Sequence, residues 1–148
     1  MIFPQKTMVL ESAGTNTQQL LGTRPLVLAV DDDEDNLLLM SQIIELFNCA
    51  FLGAENAATG MALATTHLPD MILLDMLLPD ADGIEFVSQL KANQPTKNIP
   101  IIAVTALARE EDRQRFLAAG CTDYLSKPFM LDALEEMLCR HISMVVLS

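Results

Sequence analysis

The chain is short of basic residues: nine lysines and arginines stand against 20 aspartates and glutamates, a net charge of -11 over 148 residues. Nucleic-acid phosphates are bound by basic surfaces, so this balance argues against DNA or RNA as a direct partner. Only Arg109, Arg113 and Arg115 cluster. Long apolar runs are missing as well. No stretch approaches the roughly 20 residues that span a bilayer, and Met8-Val9-Leu10 is too short for the apolar part of a signal peptide. These absences predict a soluble, cytoplasmic protein with no membrane partner. The cysteines, Cys49, Cys121 and Cys139, are odd in number and widely spaced, with no metal-like or redox-like pair. Each sits among apolar neighbours, which predicts buried thiols. His67 and His141 are isolated, and no glycine-rich phosphate loop is present.

What is there is a globular composition, 51% hydrophobic and 20% charged, at a length that suits one domain with one substantial core. The chain is organised around Asp70 to Gly83. Four apolar residues, Met71 to Leu74, run into Asp75 and then into a loop marked by Pro79, Asp82 and Gly83. A short apolar run bounded by turn residues is the pattern of a strand buried on both faces. Asp75 therefore lies at the carboxyl-terminal edge of a sheet, where open α/β sheets bind ligands. Taken alone, it could equally be a carboxylate that solvates a strand end.

Residues 1–24 are polar, without a sustained period, and read as a flexible arm. Leu26 to Val30 is an unbroken aliphatic strand ending in five acids, Asp31 to Asp35. Helix capping and dipole compensation account for Asp33 to Asp35 but not for Asp31 and Asp32, which belong to the strand end. A helix follows from about Asn36 to Phe47, with Ser41, Gln42 and Glu45 left for solvent. Cys49 to Ala54 is a weaker strand and Asn56 to His67 an alanine-rich helix. After the Asp75 strand, a helix is expected from Gly83 to Asn93. Ile101 to Val104 forms a strand that delivers Thr105 to its end. Leu107 to Ala119 reads as a helix with a polar centre, closed by Gly120. Asp123 to Leu125 is the last strand, and Leu131 to Ile142 the last helix, apolar at Leu131, Leu134 and Leu138. Residues 143–148 are a tail, either an extension of that helix or a partner-binding strip.

Five strand–helix alternations imply a doubly wound parallel α/β sheet, with right-handed crossovers limiting the topology. Central first and third strands would bring Asp31, Asp32 and Asp75 together at the switch point. Three carboxylates at one edge repel each other unless compensated, and Lys127 supplies only one positive charge. An all-oxygen, carboxylate-rich site suits Mg²⁺. A divalent cation, a lysine, the Thr105 hydroxyl and a central carboxylate are the parts that phosphoryl transfer requires. The missing glycine-rich loop argues against ATP as the donor.

With the Asp31-Asp32 pair, Asp75 with Pro79 and Asp82-Gly83, Thr105-Ala106 and Lys127-Pro128-Phe129, in that order, the chain resembles a receiver domain of the two-component response-regulator family over residues 25–142. The expected fold is then a flavodoxin-like, five-stranded sheet of order 2-1-3-4-5 with five helices. The resemblance implies that Asp75 is the phosphoacceptor. It implies Mg²⁺ held by Asp32, Asp75 and the Leu77 backbone carbonyl, with Asp31 assisting through water. Thr105 and Lys127 would bind the phosphoryl oxygens, Tyr124 would be the aromatic switch residue, and the Lys127–Pro128 bond would be cis. The partners implied are a sensor histidine kinase or histidine phosphotransfer protein and a downstream protein target. With only the tail after the last helix, the expectation is a stand-alone switch rather than a turnover enzyme. A Mg²⁺-dependent aspartyl phosphohydrolase would need a second carboxylate where Leu77 stands. A flavin- or nucleotide-binding protein of similar architecture would need an anion-cradling loop where Asp31 to Asp35 stand.

Overall fold

The computed structural model describes residues 24–107 and 109–142. The arm over residues 1–23 and the tail over residues 143–148 lie outside them. Aliphatic runs form the strands β1 (Leu26–Val30), β2 (Ala50–Ala54), β3 (Met71–Asp75), β4 (Ile101–Thr105) and β5 (Asp123–Ser126). Between and after them lie the helices α1 (Glu34–Leu46), α2 (Ala57–His67), α3 (Gly83–Ala92), α4 (Glu110–Ala119) and α5 (Leu131–His141). All strand pairs are parallel, and the sheet order is β2-β1-β3-β4-β5. This is the flavodoxin-like order expected from the sequence.

Strand alternation divides the core into two layers. Val27, Ala29, Met71, Leu73, Ile102 and Val104 face α1 and α5. Leu28, Val30, Ile72, Leu74, Ile101 and Ala103 face α2, α3 and α4. Both faces of the central strands are covered, which is why they read as continuous apolar runs. Close helix–sheet approach shows at Gly60, where an added Cβ would lie 2.8 Å from a Val30 methyl.

Several boundaries and exposures differ from the sequence reading for local reasons. α1 begins two residues early because Asp33 caps it, its carboxylate accepting from the Asp35 N–H at 2.9 Å. Ser41 is buried rather than solvent-facing, its hydroxyl donating to the Leu38 carbonyl at 2.7 Å. The outer face of α1 instead carries exposed Leu38, Leu39 and Leu46. α4 starts at Glu110, not Leu107, with Arg109 in extended backbone at its N-cap. Of the cysteines, Cys49 and Cys121 are buried, and burial pushes each thiol up to about 11. Cys139 is exposed, because the core stripe of α5 runs through Leu134, Met137 and Leu138 and leaves position 139 outside. Leu131, at the start of α5, is exposed too.

The far end of the sheet is closed by an ionic clamp. Asp123, opening β5, accepts from Arg140 at 2.8 Å and lies 2.9 Å from the His141 ring, both on the last turn of α5. Burial alone would raise the Asp123 pKa, but the His141, Tyr124 backbone and Arg140 hydrogen bonds outweigh it and hold the carboxyl below its usual value. A depressed carboxylate contributes stability above its unfolded pKa and loses it as pH falls through the folded one. Asp123→Asn should therefore lower stability by about 1 kcal/mol at pH 7 and by much less in the acid range below the usual carboxylate pKa. Urea titrations at the two pH values check this.

Candidate functional site

The site is assembled at the carboxyl-terminal edge by strand register. Val30 pairs with Leu74, so the residues that follow β1 meet the end of β3. Asp31 extends the ladder, its N–H donating to the Ala54 carbonyl at 2.9 Å. One oxygen each of Asp31, Asp32 and Asp75 falls within 4.8 Å of the others. Asp31 and Asp75 are buried and Asp32 is exposed, so the cluster opens to solvent on the Asp32 side.

Each buried carboxylate is held by specific donors. Asp31 accepts from the Asp33 N–H at 2.9 Å, and Asp75 from the Leu77 N–H at 2.9 Å. Lys127 closes the cluster, its Nζ 2.9 Å from Asp31 and 3.2 Å from Asp75. It is aimed by β5, whose Ser126 pairs with Thr105, and by its own N–H, which donates to the Thr105 carbonyl at 2.9 Å. The following Lys127–Pro128 bond is cis, as expected. Burial disfavours the charged lysine, but the Asp31 hydrogen bond and the Asp75 and Asp31 charges overcome it and hold its pKa above the usual value. The ammonium is therefore fixed as a cation. Thr105 is wholly buried at the end of β4, its Oγ1 accepting from the Leu107 N–H at 3.2 Å.

Such an arrangement concentrates negative charge around one lysine and leaves an oxygen-only donor set, the chemistry that binds a hard divalent cation. Residues 27–139 match the model of the response regulator receiver domain. The chain belongs to the response regulator receiver family.

The receiver is 36% identical to the polar-differentiation response regulator DivK of Brucella anthropi over 112 residues, which cover 76% of this chain and 91% of that one. The receiver domain of sensor histidine kinase PA1611 from Pseudomonas aeruginosa superposes with a TM-score of 0.75 at 30% identity, covering 82% and 99% of the two chains. That structure holds a magnesium ion in its active-site cleft. Chemotaxis response regulator CheY4 of Vibrio cholerae gives a TM-score of 0.77 at 29% identity, over 81% of this chain and all of that one. The receiver is thus a two-component signalling module whose acidic triad is consistent with a Mg²⁺ site.

Of the predicted site residues, the structure brings Asp31, Asp32, Asp75 and Lys127 together and sets Thr105 beside Lys127 through the strand pairing. Leu77 is the second residue of the loop after β3, with its side chain largely exposed. Tyr124 stands one turn of pleat behind, its ring centroid 6.2 Å from that of Phe116. Its hydroxyl is buried and has no hydrogen-bond partner among the described residues, and burial, then the Asp112 charge, raises its pKa. Asp112 was not singled out by the sequence. It is buried on α4 between Arg109 at 3.1 Å and Arg115 at 3.8 Å, so these arginines serve acids rather than an open basic face. The sequence reading does not single out the exposure of several large apolar residues. Leu38 and Leu39 on α1, Leu77 in the loop after β3, and Met130 and Leu131 at the start of α5 are all exposed.

Proposed function

We propose that this receiver takes a phosphoryl group from a phosphohistidine on a sensor kinase or phosphotransfer protein onto Asp75. The observation that carries the reading is the Lys127 ammonium set between Asp31 and Asp75, beside an oxygen-only carboxylate cluster at the sheet edge. A carboxylate oxygen of Asp75 attacks phosphorus, the P–N bond breaks, and the imidazole leaves with its electron pair. Asp32 and Asp75, with the Leu77 carbonyl and Asp31 through water, would hold Mg²⁺, which supplies neutralisation of charge on the phosphoryl oxygens. Lys127 and the Thr105 hydroxyl bind those oxygens, and Lys127 is already charged for the task. A hydroxyl drawn toward the phosphoryl group leaves its Leu107 contact, which alters the surroundings of Tyr124 and α4. That change is the signal read by a downstream protein. The domain that does this spans residues 25–142, and it acts as a switch in the cytoplasm rather than by turnover.

Exposed Leu77, two residues beyond Asp75, and exposed Met130 and Leu131, just beyond Lys127, together with Leu38 and Leu39 on α1, support a protein donor, since large exposed apolar side chains suit a protein surface more than a free small molecule. Leu38→Asp should slow transfer from a phosphohistidine protein about tenfold while leaving labelling by acetyl phosphate unchanged. Paired assays with the two donors check this. The function itself is tested by incubating the protein with phosphorylated histidine kinases of its source, with Mg²⁺ and with EDTA. Mg²⁺-dependent transfer supports it, and no transfer from any kinase contradicts it.

A further inference from the structure

We infer that Asp80 is a positioning residue for the cation site, tethering the loop after β3 to the first turn of α2. This rests on the reading that the Leu77 carbonyl, in that same loop, helps to hold Mg²⁺. Both Asp80 oxygens accept from the Ala57 N–H, at 3.0 and 3.1 Å, and one also lies 3.3 Å from the Ala58 N. These residues are 22 and 23 positions apart in sequence, so the bonds join two separate segments rather than stabilising a local turn. Among the described residues, no other side-chain hydrogen bond joins the loop of residues 76–82 to α2.

The first-turn N–H groups of a helix lack intrahelical acceptors and favour a negative charge. α2 divides this need between two residues. Its own N-cap, Asn56, accepts from the Thr59 N–H at 2.8 Å, and Asp80 takes Ala57 and Ala58. The loop is thereby fixed at both ends and once in its middle. At its start Asp75 accepts from the Leu77 N–H, and at its end Asp82 caps α3 through the Ile84 N–H at 2.9 Å. Gly83 seats the far end against Met76, where a Cβ would come within 2.8 Å of the Met76 Cα. Between these anchors the buried Met76 and Leu78 flank the exposed Leu77. Asp80 is the anchor that refers the loop to a rigid helix outside it, and so it sets where the residue 77 carbonyl stands. Partners that orient a metal's ligands, without touching the metal, typically change affinity by about 10–100-fold when removed.

The test is Mg²⁺ titration followed by backbone-amide chemical shifts, alongside thermal melts, for the wild type, Asp80→Ala, Asp80→Asn and Asn56→Ala. Asp80→Ala should weaken Mg²⁺ binding about tenfold. Asp80→Asn, which keeps a carbonyl acceptor but loses the charge, should stay within about twofold of the wild type. Asn56→Ala removes the other cap of the same helix, so it should lower the melting temperature without changing affinity. Unchanged affinity in Asp80→Ala overturns the inference. So does an Asn variant as weak as the Ala variant, which would make the effect one of charge alone. A wild type that shows no Mg²⁺-dependent shifts overturns the cation reading itself, and the inference with it.

Discussion

Lys127→Ala should take up phosphate from acetyl phosphate about a hundredfold more slowly than the wild type, at saturating Mg²⁺. Removing one preorganised donor from the place where charge develops typically costs about 10²–10³ in rate. In the proposed reaction Lys127 would be such a donor, and Asp31 and Asp75 hold it above its usual pKa against the effect of burial. The same substitution should reveal the electrostatic strain of the site. Its side chain is 20% exposed, and those of Asp31 and Asp75 are 1% and 8% exposed, so the pairs follow interior rather than surface rules. Breaking a buried pair by removing one partner costs about 3–5 kcal/mol. We expect a loss near the lower end, about 3 kcal/mol, since the cluster opens to solvent at Asp32. Mg²⁺ should restore part of that loss, and more of it than the same salt restores in the wild type. Urea unfolding with and without Mg²⁺ reads this. A variant that labels within tenfold of the wild type, or unfolds identically in EDTA, would remove Lys127 from the proposed chemistry.

The second large effect concerns lifetime. Loss of phosphate from Asp75 requires a water in line with phosphorus, and that water must be positioned by nearby groups. Leucines stand two positions beyond Asp75 and two beyond Thr105. Leu77 donates its N–H to Asp75, and Leu107 donates its N–H to Thr105, so each backbone is fastened to a site residue. Neither side chain can orient water, and the phosphorylated protein should be long-lived. Leu77→Asn/Leu107→Glu supplies an amide and a carboxylate at these two points. Dephosphorylation should accelerate about tenfold, a barrier change of about 1.4 kcal/mol. The measurement is the first-order loss of phosphate after donor removal, with Mg²⁺ constant. A double variant no faster than the wild type would show that the leucines do not shield the site.

Much of this was readable from the chain because buried parallel strands leave an unmistakable trace. The runs ending at Val30, Leu74 and Val104 are apolar on both faces, and each is followed by a residue of the site: Asp31, Asp75 and Thr105. Topology then did the rest, since pairing β1 with β3 brings the acids together. What escaped depends on contacts that sequence distance conceals. Asp80 reads as an ordinary loop acid, and its partners are two helix N–H groups from an earlier segment. Ser41 looks solvent-directed until its hydroxyl turns back onto the Leu38 carbonyl. Asp112 lies in the polar first turn of α4 yet is buried, because Arg109 and Arg115 neutralise it. Leu131 fits the apolar spacing of α5 and Cys139 has apolar neighbours, but the buried stripe of the helix passes beside both. Apolar character alone cannot separate a core leucine from one that faces a partner.

Asp75, and no other acid of the cluster, should receive the phosphoryl group. An acyl phosphate is an activated carboxyl, so borohydride reduces it and converts the aspartate that carried phosphate into homoserine. The protein should therefore be treated with acetyl phosphate and Mg²⁺, reduced with borohydride, and mapped by peptide mass spectrometry. The account predicts homoserine at position 75 only, absent in EDTA and absent from Asp75→Ala. Homoserine at position 31 or 32, or undiminished labelling of Asp75→Ala, would contradict it.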